Sequence, residues 1–231
     1  MIITIDGPAG SGKSTIARKL AARLELPYLD TGAMYRAVAF KAIRTGTPVT
    51  AAALIGLLHD SAIELDCVPT HTRVLLDGQD VSEAIRSMEV SKATSHVARL
   101  QPVRDILVER QREIGARLRS LVTEGRDQGS VVFPHADLKV VMDAQLERRA
   151  KRRHLELLAD GEEVRFHDVL ENLRERDLND AHQWEPLLID LNVMRLDTSE
   201  LSVQDVVTCL LNEIQRRGLR KAPPQPSQAT S

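Results

Sequence analysis

One short motif constrains the fold of this chain more than any other feature: residues 7–15 read Gly-Pro-Ala-Gly-Ser-Gly-Lys-Ser-Thr. The spacing is G-x-x-x-x-G-K-S. The motif follows an apolar run at residues 2–5 and precedes a run in which Ile16, Leu20 and Leu24 share one helix face. A strand, a glycine-rich loop and a helix in this order form a P-loop, which surrounds a phosphate chain with backbone N–H groups and the positive end of the helix. The motif therefore predicts a nucleoside triphosphate site.

Two side chains of the motif carry specific chemistry. Lys13 supplies a full positive charge for the outer phosphates, and the Ser14 hydroxyl is the predicted ligand of Mg²⁺. We expect Lys13 to be exposed while the loop is empty. The predicted triphosphate-binding residues are Gly7, Pro8, Ala9, Gly10, Ser11, Gly12, Lys13, Ser14 and Thr15.

The rest of the chain alternates apolar runs with helical patterns. The apolar runs typical of buried parallel strands lie at residues 2–5, 27–29, 121–123, 138–142 and 193–196. Alternation of this kind predicts an α/β fold with a five-stranded parallel sheet and helices on both faces. Two stretches depart from it. Residues 62–82 resemble a small antiparallel meander followed by a helical region at 86–117, and residues 145–185 are dense in charge.

Composition limits the classes of partner. The 231 residues carry a net charge of −2 and only 3% aromatic residues, which argues against broad nucleic-acid binding. No apolar stretch reaches the ~20 residues of a membrane span. The two cysteines, Cys67 and Cys209, form no disulfide framework or metal spacing, so we expect reduced thiols and a cytoplasmic protein. We also expect a monomer with a disordered tail at residues 218–231.

Polar residues follow two further predicted strands, where ligands of open α/β sheets bind. Thr31 and Arg36 follow the second strand, and Arg126 and Asp127 follow the third. Together with the P-loop they favour a kinase with two anionic substrates. A GTPase is not supported, because GTPases need an Asn-Lys-x-Asp motif to recognise the base and this chain has none. A motor ATPase is a less favoured alternative that stays open. Such proteins usually have an acidic residue at the end of a long apolar strand, and Asp143 ends an apolar strand here.

Several of these runs together resemble the bacterial-type cytidylate kinases over residues 1–217. The resemblance rests on residues 7–15, 29–36, 77–82 with 85–86, 91–104, 124–134 and 176–177. It implies transfer of phosphate from ATP to CMP or dCMP, with Mg²⁺, in a single domain at residues 1–217. The implied parts are a core at 1–35, 118–147 and 186–217, a monophosphate-binding insertion at 36–117, and a lid at 148–185.

The resemblance also implies roles for single residues. Thr31, Arg36 and Arg126 would hold the monophosphate; Ser95, Arg104 and Asp127 would recognise cytosine; Arg176 and Asp180 would reach the sugar and phosphates; Arg149 and Arg153 would meet the ATP phosphates. Lys13, Arg126, Arg149, Arg153 and Arg176 would stabilise the transferring group. One departure is plain, because Gln183 stands where the family has an arginine. Two other functions stay open: a kinase of another small acceptor such as UMP, and a P-loop ATP-binding regulatory protein.

Overall fold

The fold comes from a computed structural model, which describes residues 1–159 and 161–220, without the side chains of residues 179–182 and 185. In chain order the strands are β1 (Ile2–Asp6), β2 (Tyr28–Asp30), β3 (Ile63–Val68), β4 (His71–Leu76), β5 (Gln79–Asp80), β6 (Leu121–Glu124), β7 (Leu138–Asp143) and β8 (Met194–Asp197). The α-helices are α1 (Lys13–Leu24), α2 (Thr31–Thr45), α3 (Ala51–His59), α4 (Met88–Val97), α5 (Gln101–Leu118), α6 (Leu146–Ala159), α7 (Phe166–Leu188) and α8 (Val203–Arg216).

Five strands of the described chain form one parallel sheet in the order β2-β6-β1-β7-β8. The α/β class and the five strands predicted from the apolar runs are confirmed. Strand β1 is central because its residues pair with β6 on one side and β7 on the other. The P-loop therefore leaves the middle of the sheet, with neighbouring strand ends on both sides of it.

Two apolar cores cover the two faces of the sheet. Alternate residues of a strand point to opposite faces, so Leu121 packs in one core and Val122 in the other. Helices α1 and α8 cover the face of Val122, and helices α2 and α5 cover the face of Leu121. The helices on the two faces thus bury the strands whose ends carry the P-loop and the loop after β6.

The predicted meander is confirmed as the antiparallel sheet β3-β4-β5. It joins the main sheet through Thr72, whose hydroxyl donates to the carbonyl of Tyr28 at 2.6 Å and accepts from the backbone N–H of Asp30 at 3.0 Å. The helical region after it is split into α4 and α5. Pro102 lies at the start of α5, where a missing N–H costs nothing.

The charged stretch forms the antiparallel helices α6 and α7, which bury a small apolar cluster with Ala9 of the P-loop. Farther along α7, Trp184 and Leu187 pack against Val141 of β7. Beyond α8, Leu219 packs against the adjacent core, and residues 221–231 lie outside the described residues. Among the described helices, none is both long and apolar enough to cross a membrane.

Close packing of α5 on the loop after β6 depends on Gly115. A methyl group at this position would lie 2.4 Å from Cε1 of Phe133, so Gly115→Ala should destabilise the protein by about 1–3 kcal/mol through overpacking. Gly56, exposed within α3, is the matched control, because nothing lies within 4 Å of the position that a methyl group would take there. At that site the same substitution should stabilise the protein by about 0.5–1 kcal/mol. Urea unfolding of both variants checks the pair, and equal effects would contradict the packing argument.

Candidate active site

The P-loop runs from the end of β1 to Lys13, the first residue of α1. Gly7 lies directly against β7: its φ is 137°, and a Cβ atom there would come within 2.0 Å of the carbonyl oxygen of Met142. Only glycine fits this position without moving a strand. The start of the P-loop therefore lies directly against β7.

Lys13 is buried with 8% exposure, so the expectation of an exposed lysine in the empty loop is wrong. Its Nζ donates to the carbonyl oxygen of Pro8 at 2.8 Å, which holds the ammonium inside the loop. Burial lowers the pKa of Lys13 to about 8, opposed by the negative charge of Glu124 and assisted by the positive charges of Arg126 and Arg176. These three side chains therefore lie near the ammonium.

Glu124 is a site residue that the sequence analysis missed. Its Oε1 accepts a hydrogen bond of 3.0 Å from the Ser14 hydroxyl, and burial together with the negative charge of Asp30 raises its pKa. Thr31 is tied to the same residue, because its hydroxyl donates to the Glu124 carbonyl oxygen at 2.9 Å. The signal was present in the sequence, since Glu124 directly follows the third apolar run.

Arg36 faces this edge of the sheet from the first turns of α2. Its Nη2 pairs with Asp30 Oδ2 at 2.7 Å, and Asp30 Oδ1 caps the helix by accepting from the Ala33 N–H at 3.0 Å. The Nε of Arg36 is buried and has no hydrogen-bond partner within the described part of the chain. The Arg36 side chain as a whole is 21% exposed, so the guanidinium lies within reach of an anion at this edge of the sheet.

Arg104 and Asp127 form a largely buried ion pair between α5 and the loop after β6. Arg104 Nη1 also donates to Gln183 Oε1 of α7 at 3.3 Å. A third predicted residue, Ser95, is exposed on α4, and its hydroxyl donates to the carbonyl of Lys92 at 2.8 Å. The structure thus brings Arg104 and Asp127 into contact, with Gln183 at their side.

The predicted lid arginines differ in their surroundings. Arg149 is buried: Nη1 donates to the Ala9 carbonyl at 3.0 Å, Nε donates to the Ala144 carbonyl at 2.8 Å, and the guanidinium pairs with Asp177 at 2.5 Å. Arg153 is partly exposed and pairs with Glu156 one turn along α6. Arg149 therefore contacts the P-loop backbone directly, whereas Arg153 has only a local partner in the described contacts.

Arg126 and Arg176 lie close enough to Lys13 for their charges to act on it. The side chain of Asp180 lies outside the described residues. The predicted residues that share the edge of the sheet are those of the P-loop with Thr31, Arg36, Arg126 and Asp127.

A family model described as cytidylate kinase matches residues 3–216 of the chain. The chain belongs to the cytidylate kinase family. The resemblance that the motifs indicated is thereby confirmed. A cytidylate kinase from Caldanaerobacter subterraneus subsp. tengcongensis is 42% identical over 216 residues, which cover 93% of this chain and 94% of that protein. One from Symbiobacterium thermophilum is 44% identical over 219 residues, which cover 94% and 96%.

Solved structures of lower identity share the fold. A shikimate kinase from Bacteroides thetaiotaomicron aligns with a TM-score of 0.50 at 12% identity, over 93% of this chain and 98% of that one. An uncharacterized protein from Eubacterium ventriosum aligns with a TM-score of 0.52 at 13% identity, over 94% and 98%. Because the alignments cover nearly the whole chain, the shared fold is not confined to the P-loop region.

Lys13 should be essential to phosphoryl transfer because its charge is already held inside the P-loop. Lys13→Met should lower turnover by at least about 100-fold, as loss of one electrostatic contact to a transition state typically does. Lys19→Met, on the exposed face of the same helix, is the control and should keep normal turnover. Coupled ADP release with circular dichroism checks both. More than a tenth of normal turnover in Lys13→Met would contradict the assignment.

Proposed function

We propose that this chain transfers the γ-phosphate of ATP to CMP or dCMP, giving ADP and CDP or dCDP. Family membership supports the reaction, and one feature of the site carries it. The Arg36 guanidinium lies on the same edge of the sheet as the P-loop, paired with Asp30 at the end of β2, and we assign it as a second anion position. A site with two anion positions suits transfer from a triphosphate to a monophosphate.

The Arg104–Asp127 pair suits the base of the acceptor. The exocyclic amine of cytosine is a donor, which a carboxylate accepts. The ring nitrogen and carbonyl oxygen beside it are acceptors that a guanidinium can donate to. Uracil presents a carbonyl where cytosine presents the amine, so it would set an acceptor against the Asp127 carboxylate. We therefore assign cytosine to Arg104 and Asp127, with Ser95 as the third predicted contact.

The remaining acceptor contacts follow from the family resemblance. Thr31, Arg36 and Arg126 hold the monophosphate in this proposal, and Arg176 and Asp180 reach the sugar and phosphates. The acceptor phosphate is ionised near neutral pH, since its second pKa is about 6. The reaction therefore needs no general base from the protein.

Mg²⁺ fits the residues at the mouth of the P-loop. The Ser14 hydroxyl and a Glu124 carboxylate oxygen lie 3.0 Å apart, and both are the hard oxygen donors that this ion prefers. When bound, Mg²⁺ neutralises charge on the triphosphate. Lys13 and Arg126 hold their own positive charges on the same side of the sheet, so they stabilise the transferring group.

The two lid arginines take different parts in the proposal. Arg149 already binds the Ala9 carbonyl and Asp177, so it acts on the triphosphate by holding the P-loop and α7 together. Arg153 pairs with Glu156 in the described contacts, and its role toward the ATP phosphates rests on the family resemblance. Closure of the lid over the substrates would exclude water that would otherwise hydrolyse ATP. The boundaries of the insertion and lid, the monomeric state and the cytoplasmic location stay predictions.

The decisive experiment is an ADP-release assay with CMP, dCMP, UMP, AMP and shikimate offered separately as acceptors. We expect turnover with CMP and dCMP well above turnover with the other three. Preferred turnover of UMP would replace the base assignment. ATP hydrolysis that no acceptor changes would instead support a regulatory ATP-binding protein, which the pre-placed Arg36, Arg104 and Asp127 do not favour.

Removing either residue of the Arg104–Asp127 pair should weaken binding of the acceptor CMP more than binding of ATP. Arg104→Met or Asp127→Ala leaves a buried polar partner unsatisfied, which costs about 1–3 kcal/mol. That corresponds to roughly a 5–150-fold rise in KM for CMP, with KM for ATP changed less than threefold. Arg73→Met is the control, because it removes an exposed ion pair with Asp80 on the meander. Steady-state kinetics with each substrate varied in turn checks the prediction, and equal losses for both substrates would contradict it.

A further inference from the structure

Asp6, the last residue of β1, is a buried carboxylate to which the P-loop motif assigns no task. Its two oxygens accept hydrogen bonds from two consecutive backbone N–H groups across the sheet. Oδ1 accepts from Gln128 N at 2.7 Å, and Oδ2 accepts from Gly129 N at 2.9 Å. In the described structure, the Asp6 side chain therefore accepts hydrogen bonds from the loop that follows β6.

The loop held by Asp6 carries the proposed acceptor residues. Gln128 begins a short π-helix, Gln128–Val132, directly after Arg126 and Asp127. π-helices are uncommon and concentrate at functional sites. The contact is close enough to exclude a side chain at Gly129, where a Cβ atom would lie 2.8 Å from Thr4 Oγ1 and 3.2 Å from Asp6 Oδ2. The start of the π-helix therefore sits directly on β1.

A carboxylate suits this position better than a neutral amide. Two backbone donors need two acceptor oxygens, whereas an asparagine has one oxygen and would turn its NH₂ group toward the second donor. Retaining a carboxylate here is costly, because burial raises the pKa of Asp6 to about 7 although both backbone hydrogen bonds lower it. The charged groups that act on Asp6 are Asp127, which raises its pKa further, and Lys13, which lowers it.

We propose that Asp6 is a positioning residue that sets the acceptor loop, residues 124–132, against the strand from which the P-loop departs. β1 then carries the triphosphate loop at its end and holds Arg126 and Asp127 in register with it. This inference rests on the proposed function, in which those two residues bind the monophosphate and the base. It adds a residue that touches neither substrate but fixes the distance between the two binding loops.

Kinetics of Asp6→Asn separate positioning from mere structural support. With Arg126 and Asp127 displaced, KM for CMP should rise at least tenfold, while binding of a non-hydrolysable ATP analogue changes less than threefold. A merely structural role lowers the melting temperature and the fraction of active enzyme but leaves both affinities unchanged in the folded fraction. Unchanged KM for CMP, or equal losses for both nucleotides, would overturn the proposal.

Two further variants keep the test independent of folding defects. Gly129→Ala leaves the Asp6 carboxylate in place but pushes the same loop off β1, so it should reproduce the CMP-selective rise in KM. Asp205→Asn is the control: it removes a carboxylate that caps α8 in a Ser202–Asp205 capping box far along the chain. It should lower stability without changing either KM. A normal KM for CMP in Gly129→Ala would count against the positioning role.

Hydrogen exchange of the loop amides distinguishes failure of this inference from failure of the proposed function. In the wild-type protein without nucleotides, the Gln128 and Gly129 amides should be protected, and Asp6→Asn should speed their exchange at least tenfold. Unchanged exchange would overturn the anchoring role of Asp6 whatever the enzyme acts on. If the wild-type protein does not phosphorylate CMP while exchange behaves as expected, the proposed acceptor is wrong and the anchor stands.

Discussion

Parallel pairing of the central strands is the constraint on which the site depends. Because β1, β2 and β6 run in one direction, their carboxyl ends meet at one edge, and Glu124 pairs with Ile5 on one side and Asp30 on the other. Each strand of this sheet also ends in an acidic residue: Asp6, Asp30, Glu124, Asp143 and Asp197. The backbone there must turn away from the sheet and needs acceptors for its unpaired N–H groups.

The acidic strand ends serve this need in different ways. Asp6 accepts from the loop after β6, Asp30 caps α2, and Asp197 accepts from the backbone N–H of Ser199 at 2.8 Å. Only Glu124 makes its described side-chain hydrogen bond to a hydroxyl of the phosphate-binding motif, Ser14. The same row of carboxylates therefore shapes the loops and leaves one member facing the proposed metal position.

Concentrating carboxylates at one edge creates repulsion that the binding side chains offset. Asp30 raises the pKa of Glu124, while Lys13 and Arg36 lower it. The cations that we assign to phosphate binding thus also offset the charge of these carboxylates. Arg149 likewise offsets a negative charge, that of Asp177 on α7. Because Arg149 also donates to the carbonyl of Ala9, this ion pair attaches α7 to the P-loop. Under the proposed function, we expect loss of one such charge to affect both the architecture and the binding of substrate.

Local pattern in the sequence was sufficient for the P-loop, the five parallel strands, the meander and the family. These features depend on short-range spacing: a glycine-rich turn between a strand and a helix, apolar runs of strand length, and an Asp77-Gly78 turn. The sequence also indicated that Thr31, Arg36, Arg126 and Asp127 follow strand ends. By itself it therefore determined the type of fold, the family and the edge of the sheet at which the predicted site residues meet.

The tertiary structure decided what each side chain contacts there. The burial of Lys13 against Pro8, the hydroxyl–carboxylate contact of Ser14 with Glu124, and the anchoring of Gln128 by Asp6 join residues 5 to 122 positions apart. The partners of Asp6 and Ser14 are brought near only by the strand order, in which β6 lies beside β1 although more than 100 residues separate them. Periodicity reports which face of an element is buried, but strand order determines which loops become neighbours.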